Sequence, residues 1–310
     1  MDRNYAQSFT VNWAVIGLLA VSIVWGTSYG TSKQVLQTLS VPQLLFARFA
    51  LSCAVLVVIL YKKKLFIEFT NNAIGYLKVG LLTGAILSCI FITETWAVML
   101  AQAGQVAVLI SLCILFTPFL EKVWLKVSLP KGLVGYCFIG VVGVALLSNV
   151  TQQDFTFNLG VALVLIAAVL RAIMVVTCRK AFTGHELNTE LITFIQLSVV
   201  TVVSLLLMFK EGSATQFTTT MMQLDWVTSS CLIYLALGCT LMAFFLQNYA
   251  VKFLHASQAS LLMGTEPLFG LIFAAIFLQE QLTNLQWLGS FLIISTTVAA
   301  CYQFSKHKQP

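Results

Sequence analysis

Residues 256–278, ASQASLLMGTEPLFGLIFAAIFL, decide what kind of protein this chain is. About 20 consecutive apolar residues match the ~30 Å hydrocarbon core of a bilayer, so the stretch predicts a transmembrane helix. Glu266-Pro267 lies at its centre. A carboxylate and a proline at mid-depth are costly in lipid, and persist where they face a bundle interior or a wet cavity. The first half of the chain holds a relative of this stretch. Trp96-Ala97-Val98 and Ala103-Gly104-Gln105 align at one constant offset with Tyr249-Ala250-Val251 and Ala256-Ser257-Gln258, and each run then reaches a proline, Pro118 or Pro267. Both prolines are expected to break their helices.

Composition sets the class. Of 310 residues, 59% are hydrophobic and 9% charged, against about 25% charged in a soluble domain. The chain reads as an all-α, polytopic membrane protein. Its net charge of +6 is therefore no nucleic-acid signal. The eight cysteines are scattered through apolar runs without a C-x-x-C pair and read as small packing residues. His185, His255 and His307 lie far apart, so no metal site is indicated.

Ten apolar runs follow one another, at residues 12–32, 41–61, 74–98, 103–120, 132–148, 159–178, 191–208, 226–251, 256–278 and 285–303. The first lacks a basic leader and a cleavage site, and is read as a retained span. An even number of spans puts both termini on one side. Lys62-Lys63-Lys64, Lys122, Lys126, Lys131, Arg179, Lys180 and Lys252 fall on that side, while the opposite loops carry few basic residues. Both termini are accordingly expected in the cytoplasm, and the protein in the cytoplasmic membrane. No phosphate-binding loop is present to suggest ATP as a driver.

Five spans precede the acidic loop at residues 151–158 and five follow it. An odd number per copy inverts the second copy in the membrane, the plan of many secondary transporters. The expected architecture is thus ten transmembrane helices in two inverted five-helix repeats, residues 12–149 and 159–303, around a central cavity. Further matches support it: Phe46 and Arg48 align with Phe194 and Gln196, and Leu133-Val134-Gly135 loosely with Trp287-Leu288-Gly289.

Trp25-Gly26-Thr27-Ser28 in the first span resembles the Trp-Gly-Ser/Thr signature of the drug/metabolite transporter superfamily, in its EamA-domain branch. Pro42 with Arg48-Phe49, Thr117-Pro118, Glu266-Pro267, and Glu280 ahead of Gln286-Trp287-Leu288-Gly289 also resemble that family, in the same order along the whole chain. The resemblance implies movement of small metabolites by alternating access, with no cofactor and no enzymatic step. Amino-acid exporters, S-adenosylmethionine importers and exporters of amphipathic compounds all occur in the family. This chain departs from the family pattern at Leu170-Arg171-Ala172 and at Glu94.

Arg48, Glu94, Arg171 and Glu266 are four charges inside predicted hydrocarbon. At ~1.5 Å of rise per residue, Arg48 and Glu94 both fall about 10 Å below the external surface. They are expected to form a structural ion pair. Arg171 and Glu266 meet near the midplane, where they either brace the bundle or bind the two ends of a zwitterion. Trp25, Ser28, Trp96 and Gln258 are the other candidates for contact with the cargo. Two arginines against two glutamates favour an amino acid or related zwitterion, with a proton or counter-substrate as the coupled species. A nucleoside amino acid of the S-adenosylmethionine type and an amphipathic or apolar cation are the alternatives. A membrane-embedded enzyme would need a His/Asp/Glu or Ser/Lys cluster near one membrane face, and none is visible.

Overall fold

The computed structural model describes residues 2–101, 106, 109–147, 158–184, 187–277 and 283–306. Among them every regular element is helical. In order these are α1 (Asp2–Val35), α2 (Val41–Lys62), α3 (Leu65–Asn71), α4 (Ala73–Leu100), α5 (Cys113–Leu125), α6 (Leu133–Leu147) and α7 (Leu159–Gly184). Then come α8 (Thr189–Lys210), α9 (Ala214–Met222), α10 (Trp226–Phe253), α11 (Ala256–Met263), α12 (Glu266–Phe277) and α13 (Asn284–Lys306).

Seven of these helices, α1, α2, α4, α7, α8, α10 and α13, are long and apolar enough to cross a membrane unaided. The chain is a multi-pass membrane protein. Helices dominate because hydrocarbon offers no partner for a backbone N–H or C=O, and a helix satisfies its own. The distribution of side chains agrees. Ile74, Leu206, Phe291 and Val298 point outward, whereas Ser52, Thr83, Glu121 and Gln196 are buried in the bundle.

Local signals set the helix ends. Pro42 sits in the first turn of α2, where its missing N–H costs nothing. Asn188 caps α8 through the Glu190 N–H, and Asp225 caps α10 through the N–H groups of Val227 and Thr228. Hydrogen bonding from Thr228 holds the exposed Asp225 carboxyl below its ordinary pKa. The polar segments after Lys64 and Lys210, read from the sequence as loops, contain the short helices α3 and α9.

The two prolines behave differently from each other. The run from Ala256 is not one helix: it stops at Met263 and restarts at Glu266, so Pro267 occupies the first turn of α12. Pro118, expected to break its helix, lies inside the continuous α5. At the break, the Gly264 N–H still bonds the Ser260 carbonyl, whereas Thr265 leaves the ladder, and the Leu262 carbonyl accepts from the Thr265 N–H, the Thr265 hydroxyl and Ser22 Oγ.

Packing brings the two halves of the chain together. Helix α4 lies against α7 and α8, α1 against α10, α11 and α12, α2 against α8, and α6 against α13. Glycines permit the closest crossings. A Cβ on Gly26 of α1 would sit 2.6 Å from the Glu266 carbonyl oxygen and 2.7 Å from Gly270 N. A Cβ on Gly143 of α6 would sit 2.9 Å from the Gly289 carbonyl oxygen of α13.

Candidate functional site

The break between α11 and α12 places Glu266 at the mouth of a half-helix, against α1 and α7. Its Oε2 lies 3.3 Å from Nη1 of Arg171. On its other side Arg171 meets Glu94 of α4, with Nε 3.2 Å from Oε2 and Nη2 3.2 Å from Oε1. One guanidinium is therefore shared by two carboxylates, and the Trp25 ring covers it at 5.1 Å from Cζ. A planar fork over an aromatic face suits arginine better than a point-charge ammonium.

The expected ion pair of Arg48 with Glu94 is not formed. Glu94 is taken by Arg171. Arg48 bonds instead to neutral acceptors on α10, Thr240 Oγ1 through Nε and the Cys239 carbonyl at 3.1 Å through Nη2. The cause is a π-helical turn, Leu237–Met242, within α10. Its wider ladder turns the Cys239 carbonyl toward α1 and α2, where it also accepts from Trp25 Nε1 at 2.8 Å. Phe91 stacks 5.0 Å from the Arg48 guanidinium.

These groups border a cavity of about 50 Å³, taken as the space open to the centre of a water. That is room for a few waters or one small polar group. Trp25, Glu94, Arg171 and Glu266 form its polar wall with Tyr29 and Gln247. Phe91, Phe244, Ile90 and Met174 form the apolar one. Four buried polar atoms here lack a hydrogen-bond partner: Tyr29 Oη, Gln247 Oε1, Glu266 Oε1 and Glu94 Oε2, the last within ion-pair distance of Arg171 Nε. Tyr29 Oη faces Glu266 without a well-aligned bond to it. A smaller recess adjoins the cavity, lined by Ser28, Ser32, Arg48 and Thr95, and shares Trp25, Tyr29, Glu94 and Arg171 with it.

Of the candidates read from the sequence, the cavity wall thus unites Arg171, Glu266, Glu94 and Trp25, while Ser28 and Arg48 line the recess. Trp96 and Gln258 are on neither wall. Trp96 packs against the main apolar core, and Gln258 is buried beside Cys301. Gln105 and Glu280 lie outside the described residues. Sequence reasoning missed Tyr29, Gln247 and the π turn, because tyrosine, glutamine and glycine at those places carry no distinctive spacing.

It also missed Glu121. Fully buried on α5, this carboxylate accepts the N–H groups of Ala256 and Ser257 at 2.8 Å each, the Ser257 hydroxyl, and His255 Nδ1 at 3.2 Å. It caps α11 from another helix. It lies just past the end of the fourth apolar run at residue 120, beside Lys122.

Comparison with known proteins agrees with this architecture. A multi-helix membrane protein with a charged internal cavity is what the fold and site define. The chain belongs to the EamA-like transporter family, whose model matches residues 12–149 and 158–301. It is a membrane transporter of that family. An uncharacterized transporter of Archaeoglobus fulgidus is 23% identical over 289 residues, covering 92% of this chain and 85% of the relative. A permease-like protein of Bacillus subtilis, YdzE, is 40% identical over 63 residues, 20% of this chain and 81% of its own. One solved crystal structure shares the fold with a TM-score of 0.74 at 13% identity, covering 94% of this chain and 98% of its own.

Proposed function

We propose that the protein is a secondary transporter of a small zwitterionic metabolite, an amino acid or close relative, in the cytoplasmic membrane. In this reading ten spans form two inverted repeats, residues 12–149 and 159–303, and alternate access around the Arg171 cluster. The reciprocal helix contacts support the repeat plan. The α4–α7 contact has its counterpart in α10–α1, and α4–α8 in α10–α2. Helices α5, α6 and the broken pair α11–α12 then supply the three shorter spans.

The observation that carries the proposal is a guanidinium shared by two carboxylates on the wall of an internal cavity, with one carboxylate at a helix break. Such a cluster is expensive in lipid unless it has work to do. Arg171 holds the place a cargo ammonium would take: the ammonium displaces it from Glu266, and Arg171 stays with Glu94. A proton or counter-substrate restores the empty state. An organic cation is the second reading, favoured by the aromatic wall of Trp25, Phe91 and Phe244.

Uptake of a labelled amino-acid panel into proteoliposomes tests the reading. Glu266→Gln should lower transport at least about ten-fold with the melting temperature of the purified protein little changed. Arg171→Lys keeps the charge and loses the fork, and should transport at an intermediate rate. Wild-type rates in both variants, or no amino acid moved by the wild type, would overturn it.

A further inference from the structure

Arg48 presents a different problem from Arg171. It is 5% exposed, and among the described residues no carboxylate lies within ion-pair distance of it. Its partners are a hydroxyl, a carbonyl and the faces of Phe49 and Phe91. A buried cation without a counter-charge is the costlier arrangement, since neutral acceptors offset only part of the lost hydration. Its repeat mate shows what a purely structural residue at this position looks like. Gln196 is neutral, and it closes its network inside the protein, donating to Thr83 Oγ1 at 2.9 Å and accepting from Asn248 at 2.8 Å.

The recess beside Arg48 has room for a small anion; Glu94 also lines it, with its charge offset by Arg171. It holds about 20 Å³ for a water's centre, about one water or one carboxylate oxygen. It shares the Tyr29 side chain with the main cavity; the buried Tyr29 hydroxyl faces Glu266 and makes no well-aligned hydrogen bond. Arg171 cannot offer the same service without first giving up Glu94 or Glu266.

We infer that Arg48, with the Tyr29 hydroxyl, is the subsite for the cargo's carboxylate, and that the cargo is an α-amino acid with an apolar side chain. The inference rests on the zwitterion reading above and assigns its acidic end. The cavity has room for only a few waters, so it widens as the ammonium displaces Arg171 from Glu266. The carboxylate then seats in the recess against Arg48, and the side chain packs on Phe91, Phe244, Ile90 and Met174. An uncharged or missing acid group would leave Arg48 buried and unneutralised, which makes it a selectivity filter against amines.

The test compares leucine, methionine and phenylalanine with their amides and their decarboxylated amines, as binding to purified protein. Wild type should prefer each acid over its amide and amine by about ten-fold or more, the range of a charge-assisted bond. In Arg48→Gln that preference should fall below about two-fold while amide binding is unchanged. Arg48→Lys, the variant to read if the glutamine form does not fold, should retain the preference only in part. Equal binding of acids, amides and amines by the wild type overturns the subsite, as does an Arg48 variant that weakens all three alike. Wild type that binds no amine-bearing probe overturns the zwitterion reading as well, so the two failures are told apart.

Discussion

Arg171, Glu94 and Glu266 behave as one unit, because two buried carboxylates share one half-buried guanidinium. Removing Arg171 strands both carboxylates, at a cost of about 3–5 kcal/mol, whereas Glu266→Gln leaves Arg171 paired with Glu94. Arg171→Met should accordingly lower the melting temperature of the purified protein. Adding Glu94→Gln and Glu266→Gln to it should restore most of the loss, because the stranded carboxylates are gone. A triple variant no more stable than Arg171→Met would show that the three do not act together. The charge swap Arg48→Glu with Glu94→Arg should bring no such rescue, since Arg48 has Thr240 and Cys239 as partners. That these four charges lie inside the bundle was legible in the sequence. Their pairing was not, because equal depth along two helices does not make those helices neighbours.

At the scale of elements, the broken α11–α12 pair is positioned by two contacts. Gly26 allows α1 to touch the backbone at Glu266 and Gly270, and Glu121 caps the first turn of α11. A methyl at Gly26 would meet backbone atoms that cannot rotate away, whereas a methyl at Gly30 would meet nothing within 4 Å. Gly26→Ala should therefore depress uptake several-fold. Gly30→Ala should leave it unchanged and raise stability slightly, by up to about 1 kcal/mol. Equal behaviour of the two variants in uptake and melting would contradict the packing described. Glu121→Ala exposes two unpartnered N–H groups to a dry interior. It should destabilise the protein by about 2–3 kcal/mol, with hydrogen exchange rising first at Ala256 and Ser257.

Over the whole molecule, the basic residues collect at one end of the bundle. Lys63 at the end of α2 bonds Glu190 at the start of α8 at 2.5 Å. Arg179 of α7 reaches the carbonyls of Val251 and Lys252 on α10. At the opposite end Gln43 of α2 donates to the Ser213 carbonyl, and Phe46 stacks on Phe217 of α9. This segregation favours the end carrying Lys63 as the cytoplasmic one. In a background without native cysteines, Lys63→Cys should resist an impermeant thiol reagent added outside cells, and Met222→Cys on α9 should react with it. The reverse pattern would invert the assigned orientation.

By itself, the sequence determined the membrane class and the family resemblance, and it placed four charges inside the bundle. All of these follow from composition and from spacing along the chain, which one dimension records. Depth followed too, since each helical residue advances a fixed ~1.5 Å. Only the tertiary structure decided the rest. It gave Arg171 both carboxylates and left Arg48 with none. It broke one proline-bearing helix at Gly264-Thr265 and left the other continuous, and it turned the Cys239 carbonyl inward through a π turn. These outcomes depend on which way each helix faces and which helices adjoin it. Packing among distant segments sets both, and no local run of residues carries them.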